Sequence, residues 1–365
     1  MPQDMSGFLS ILCADEIKAI LDGDRASVIE AVSNAYKLHA QGKTSLPQST
    51  FLCFPHLVRN RIIALPAYVG GGMDAAGIKW IASAPDNIHK GLERASALIA
   101  LNDADTGRPR AILEGSHISA ARTAASAALA AKLLHQYSAN DCVGFVGCGR
   151  INFEIAHYLR DIFPDICAIS LFDLDGARMG QFAECLGRIF PTARPTLHRR
   201  LESLLSSSRL ISIATTASVP HIQDLRSCPP ASTILHISLR DLSPETILSS
   251  DNVVDDFEHV CRAQTSIQLA RDLSGQIDFV ACSVGEILNG TRFVRSSENA
   301  NVVFSPFGLG ILDIAVAALV CQKASEQSIG FELPSFLPLQ PWDAPMEVGA
   351  GAALRGRLTS GSDEL

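Results

Sequence analysis

Along the first forty residues, apolar positions recur every three or four steps. Ile17, Ile20, Leu21, Val28, Ile29 and Val32 fall on one face of a helix, so the spacing predicts a helix over residues 14–41. After Pro47 the pattern shortens. Strands are expected at 51–54, at 61–65 ending before Pro66, at 76–82, at 97–101 and at 111–114. Gly70, Gly71 and Gly72 form a flexible turn, and residues 102–109 carry the Asp, Gly and Pro of a hairpin connection. Residues 119–134 are so rich in alanine that a helix follows from propensity alone.

From Asp141 onward the period changes again. Short runs that are apolar throughout, at 142–146, 168–172, 210–214, 233–237 and 253–255, alternate with helical stretches. A strand that is apolar on both faces belongs in a parallel sheet covered on both sides, which makes this half an α/β unit. Residues 310–321 read as a helix that could return to the first half. From about 340 onward Gly, Ala, Ser and Pro accumulate without apolar periodicity, and this tail is expected to be disordered. No internal repeat is evident.

Composition narrows the class. At 365 residues the expectation is two domains, and 47% hydrophobic with 19% charged residues describes a well-filled core. The net charge of −8 without Lys/Arg clusters argues against nucleic acid as a partner. An anionic substrate must then be held by individual cations in a pocket. Ten cysteines are scattered, with no CxxC and no His/Cys spacing of a zinc site, so buried reduced thiols and no metal are expected. The N-terminus lacks a signal pattern, and the strongest apolar run, 314–321, is too short for a bilayer. A cytoplasmic protein with no membrane partner is the expectation.

The clearest chemical signal is Val143-Gly-Phe-Val-Gly147-Cys-Gly149-Arg150-Ile151-Asn152, placed between an expected strand and an expected helix. Gly147 permits a tight turn, and Gly149 lets the backbone approach a pyrophosphate at the helix N-terminus. Asn152 stands where a third glycine would give close helix–strand packing. The next strand ends in Asp173, which can accept from ribose hydroxyls and repel a 2′-phosphate, favouring NAD over NADP; alternatively it caps the following helix. Thr215 ends a further apolar strand on the carboxyl edge, where it is either a dinucleotide contact or a loop hydroxyl.

On the substrate side, Lys79 lies inside an apolar strand and faces either solvent or a site. Arg122, near the start of the Ala-rich helix, could clamp a carboxylate or form a surface ion pair. Asp241 follows a parallel strand, where it could accept a proton or simply shape a turn. The histidines, His236 and His259 among them, read as packing or surface residues.

Together the stretches Arg61 to Pro66, Gly77-Ile-Lys79-Trp-Ile, Glu93-Arg-Ala-Ser96, Leu101-Asn-Asp-Ala-Asp-Thr-Gly107, Arg122-Thr-Ala-Ala, Gly147-Cys-Gly149 and Ser305-Pro-Phe-Gly308-Leu-Gly-Ile-Leu-Asp313 resemble the ornithine cyclodeaminase/μ-crystallin family over roughly residues 10–330. The resemblance implies a Rossmann-type NAD-binding domain at 126–309 and a mixed α/β substrate-binding and dimerisation domain at 1–125 plus 310–340, with 341–365 as tail. It implies a homodimer acting on a small amino-acid-derived substrate. Lys79 then matches a residue that binds substrate carboxylate and takes part in catalysis, Arg122 a contact to substrate and cofactor, and Asp241 a catalytic aspartate. Ser96, Thr215, Ser238 and Ser305 match dinucleotide contacts, beside Arg150 and Ile151 of the glycine loop. Within the family the sequence looks most similar to the N-(2-amino-2-carboxyethyl)-glutamate dehydrogenases. Two departures favour that branch over cyclodeamination: Gln48, expected at the substrate, follows Pro47 where cyclodeaminases carry arginine, and Glu245 replaces a lysine. Cyclodeaminase, imine reductase, alanine-type dehydrogenase and a non-enzymatic dinucleotide-binding protein remain the alternatives.

Overall fold

A computed structural model describes residues 8–138 and 140–337; the tail expected at 341–365 lies outside them. Two eight-stranded sheets organise the chain. The first is mixed and holds Leu9–Leu12, Thr44–Ser45, Thr50–Phe54, Leu57–Val69, Ala75–Ser83, Ala95–Asp103, Pro109–Glu114 and Phe331–Leu333. Its inner face, with Leu65, Ala67, Val69, Lys79, Ile99, Leu101 and Leu113, is buried. The helices Arg25–Ala40, Gly115–Leu134 and Gly310–Glu326 share that core. The second sheet is wholly parallel, in the order Thr196–Leu197, Ala168–Phe172, Cys142–Val146, Leu210–Ile213, Thr233–His236, Val302–Ser305, Asp251–Val254, Val280–Ser283. The chain winds outward from Cys142–Val146 in one direction, then restarts with Leu210–Ile213 on its other side. That reversal opens a crevice at the carboxyl edge, the place where such sheets bind ligands.

Several expectations need correction. The helix expected over 14–41 is two, Ala14–Gly23 and Arg25–Ala40, because the Asp24 carboxylate accepts from the Ser27 backbone N–H and starts a new helix. The strand expected to stop before Pro66 runs on to Val69. Pro66 pairs with Ile78 on one side, whereas on the other the short strands end at Ser45 and begin at Thr50, so no neighbour needs its missing N–H there. The Ala-rich helix starts at Gly115, not Ser119. Glu114 caps it by accepting from the backbone N–H of Ser116 and His117, which leaves Arg122 two turns inside. Six short strands, Leu9–Leu12, Thr44–Ser45, Thr196–Leu197, Val280–Ser283, Val302–Ser305 and Phe331–Leu333, had no periodicity long enough to announce them. Among the described residues no helix is long and apolar enough to cross a membrane. Of the cysteines, Cys148, Cys228, Cys261 and Cys282 are buried, but Cys13, Cys53 and Cys167 are exposed.

Candidate active site

A cavity of about 720 Å³ lies between the two sheets. Its wall joins Ile63, Ile81, Arg94 and Ser119 from the mixed-sheet side to Gly149, Thr215 and Ser238 from the parallel sheet.

The glycine loop forms one end. Gly147 has φ +89°, and a Cβ there would lie 2.5 Å from the Ala214 carbonyl oxygen, so only glycine fits. Gly149 is the cap residue of the helix Arg150–Ile162, and a Cβ on it would meet no atom within 4 Å. The loop therefore presents open backbone at a helix N-terminus, which suits an anionic pyrophosphate. Asn152 explains the missing third glycine. Its buried amide donates to the Val146 and Gly147 carbonyls at 2.9 and 2.7 Å, and its oxygen accepts from Ser212 Oγ at 2.7 Å. Hydrogen bonds stitch helix to strand where contact with a glycine would otherwise do so. Asp173 does not cap the next helix; Asp175 does. Instead Asp173 accepts from the Cys148 backbone N–H at 2.7 Å, so it braces the glycine loop from the position expected of a ribose-binding carboxylate. Arg150 and Ile151 lie on the cavity wall, as does Arg178. Arg150 is held by His117 at 2.7 Å.

At the other end, Lys79 and Arg122 converge on Asp313, the last residue of the Ser305 to Asp313 stretch. Lys79 Nζ donates to Asp313 Oδ2 at 2.7 Å and Arg122 Nε to Oδ1 at 3.1 Å. All three are buried, with Asp313 wholly inaccessible. Strand alternation thus turns Lys79 inward, not to solvent. Burial pushes its amine down, Asp313 pulls it back up and Arg122 pushes it down again, to about 8. The triad sits behind Ser119, whose Oγ accepts from Lys79 at 3.1 Å while lining the cavity. Gly308, at φ +91°, brings its backbone against the Arg122 guanidinium; a Cβ would lie 2.8 Å from it. Its loop is fixed by Asp255, which accepts from the backbone N–H of Phe307 and Gly308, each at 2.8 Å. Burial pushes the Asp255 carboxyl up to about 6 against those bonds.

Asp241 is not on the cavity wall. It is fully buried, and its carboxylate accepts from Thr215 and Ser238, both of which line the cavity. Burial pushes its carboxyl up, but His236, Ser238 and Thr215 outweigh this and hold it below the ordinary value. A carboxylate so saturated is a poor proton acceptor, and it stands behind the wall residues Thr215 and Ser238. His236, expected only to pack, lies beneath it with Nε2 3.3 Å from Asp241 Oδ2 and Nδ1 3.2 Å from Ser305 Oγ. Ser305 therefore touches His236 and not the cavity. Ser96 is exposed and not itself on the wall, although its strand partner Ala82 and its neighbour Ala95 both line the cavity. Gln48 is exposed and off the wall.

A glycine loop at the switch point of a parallel sheet, facing buried cations across a cleft between two sheets, defines a two-part dinucleotide-binding enzyme architecture. The chain matches the model of the ornithine cyclodeaminase/mu-crystallin family over residues 13–193. It is 27% identical to the alanine dehydrogenase of Archaeoglobus fulgidus over 89% of this chain and 98% of that one. It is 29% identical to the N-((2S)-2-amino-2-carboxyethyl)-L-glutamate dehydrogenase of Staphylococcus aureus over 84% and 92% of the two. Among solved structures, an archaeal alanine dehydrogenase dimer with bound NAD superposes with TM-score 0.79 at 27% identity, covering 90% of this chain and all of the other. CmnK superposes with TM-score 0.82 at 29% identity, covering 91% and 100%.

Proposed function

We propose that this protein oxidises N-(2-amino-2-carboxyethyl)-L-glutamate and cleaves it to 2-oxoglutarate and L-2,3-diaminopropionate. It is an NAD-dependent oxidoreductase acting on a CH–NH bond. The observation that carries the reading is the single cavity with an open glycine loop at one end and the Lys79–Asp313–Arg122 triad behind Ser119 at the other. The relative in Staphylococcus aureus supports the substrate.

Gly147 to Ile151 would hold NAD, with Asp173 the carboxylate available to its ribose, and the bound dinucleotide would supply the hydride acceptor. Arg122 holds the α-carboxylate of the glutamyl half, offering two parallel N–H donors. The secondary amine must lose a proton before its Cα–H bond can be broken. Lys79, with its amine near 8, takes that proton through the Ser119 hydroxyl. Thr215 and Ser238 present their hydroxyls to the cleft, held in place by Asp241. Oxidation leaves a C=N bond, water adds to its carbon, and the C–N bond breaks. The sum consumes substrate, NAD and water and yields 2-oxoglutarate, diaminopropionate, NADH and a proton. Asp241 acts as a positioning residue: Asp241→Asn should lower turnover while leaving NAD affinity intact.

The test is NADH absorbance after adding NAD with the adduct, ornithine, alanine or proline. NADH and 2-oxoglutarate from the adduct alone establish the reading. Ammonia and proline from ornithine without net NADH overturn it in favour of cyclodeamination.

We also propose a homodimer through the outer face of the mixed sheet. That face carries Ile62, Ala64, Trp80, Leu98 and Ile112, with Trp80 37% and Leu98 43% exposed. Trp80→Glu should yield monomers by light scattering.

A further inference from the structure

The triad can satisfy only one substrate carboxylate. Two cations share one buried counterion, Asp313, and leave a single net positive charge. A substrate with more carboxylates needs further cations, and the cavity has a group of them that the chemistry above does not use.

Arg94 lies on the cavity wall. Arg61 stands opposite Ser83, another wall residue, on the paired strand. Its Nε is buried and has no hydrogen-bond partner. Arg240 precedes Asp241, and its Nε and Nη2 donate to the Ala263 carbonyl at 3.1 and 2.7 Å, which fixes the guanidinium. Among the described residues no carboxylate forms an ion pair with any of the three, whereas nearby Arg59 is matched by Asp86 at 2.8 Å. Burial and then Arg61 push both Arg94 and Arg240 below the ordinary arginine value; Asp241 pulls Arg240 part of the way back and Arg94 pushes it down again, so the three guanidinium groups lie near enough to act on one another. Half-buried like charges that repel, with only the already saturated Asp241 near one of them, raise the free energy of the empty site, and an anion relieves it.

Pyrophosphate is the first rival for this place. The glycine loop already provides its own backbone amides, with Arg150 and Arg178 on the same stretch of wall. Arg240 instead belongs to another loop, next to Asp241, whose carboxylate accepts from the wall residues Thr215 and Ser238. Resting on the proposed reading of the site, we infer that Arg61, Arg94 and Arg240 form a second carboxylate subsite that selects a substrate with an acidic side chain or a multiply carboxylated adduct over a monocarboxylic amino acid.

Calorimetric titration of the protein–NADH complex tests this, with 2-oxoglutarate and 2-oxobutyrate as probes. Both probes carry the carboxylate that Arg122 would hold; only the first carries another. We expect 2-oxoglutarate to bind at least about tenfold more tightly, the effect of one charge-assisted hydrogen bond. Arg94→Gln and Arg61→Gln/Arg94→Gln should erase that preference without changing 2-oxobutyrate or NADH affinity. Equal binding of the two probes by the parent protein overturns the subsite and leaves the dehydrogenase reading standing. Loss of NADH affinity in the variants, in parallel with loss of 2-oxoglutarate, assigns the arginines to the dinucleotide and overturns it too. Failure of both probes to bind, with NADH bound, overturns the amino-acid reading of the site and the subsite with it.

Discussion

The two ends of the cleft are built by different physics. At the dinucleotide end, Gly147, Gly149, Asn152 and Asp173 fall within one strand–helix–strand unit, and their work is done by backbone shape and hydrogen bonds. At the substrate end, Lys79 and Asp313 are 234 residues apart in sequence, and with Arg122 they place three charges where water is excluded. Removing one neutral contact from the first end leaves its neighbours satisfied. At the second, losing one charge leaves the others unpaired in a low dielectric, so the triad stands or falls as a unit.

The largest effect is expected from Asp313→Ala, which leaves Lys79 and Arg122 buried without a counterion and should cost about 3–5 kcal/mol of stability in denaturant unfolding. A loss no greater than a surface substitution would show that the charges are solvated and the contrast false. Arg122→Lys keeps the charge but loses the planar fork. We expect kcat/KM to fall on the order of 10–100-fold with NAD affinity unchanged, as for one lost charge-assisted hydrogen bond. Gly147→Ala probes the other end: with φ +89° and the Ala214 oxygen in the way, it should lose more than about 1 kcal/mol and weaken NAD binding. Gly149→Ala, facing open space, should weaken NAD binding with stability changed by less than about 0.5 kcal/mol.

The subtlest effect is on pH. Because burial lowers the Lys79 amine to about 8, the neutral form that accepts a proton is scarce below that value and dominant above it. For oxidation, kcat/KM should rise with pH and level off above about 8. Ser119→Ala should depress the plateau if the hydroxyl carries the proton, and a flat profile would remove Lys79 from that role.

Much of the dinucleotide end was legible in the residues. Gly147 and Gly149 announce themselves between an apolar strand and a helix, and Asp173 ends the next strand, because these residues follow one another along a single strand–helix–strand unit. Asn152 was legible as a departure, but its solution, a side chain bonding across to Ser212, needs the strand 60 residues onward. That Ser96 and Gln48 are not themselves on the cavity wall was not legible, for a related reason. A residue at a strand's end or in a linking stretch faces the cavity only if the register says so, and register is set by pairing partners that the local sequence does not name.

By itself the sequence determined two folding units of different periodicity, a glycine loop built for a dinucleotide and a set of cations with somewhere to point. Apolar spacing and turn residues act over a few positions and are written in order along the chain. Only the tertiary structure decided that Asp313 pairs with both Lys79 and Arg122, that Asp241 serves Thr215 and Ser238 from beneath the wall, and that three arginines form no ion pair among the described residues. Those are electrostatic facts, fixed by burial and by distances between residues remote in sequence, and they exist only once the two sheets have closed on one another.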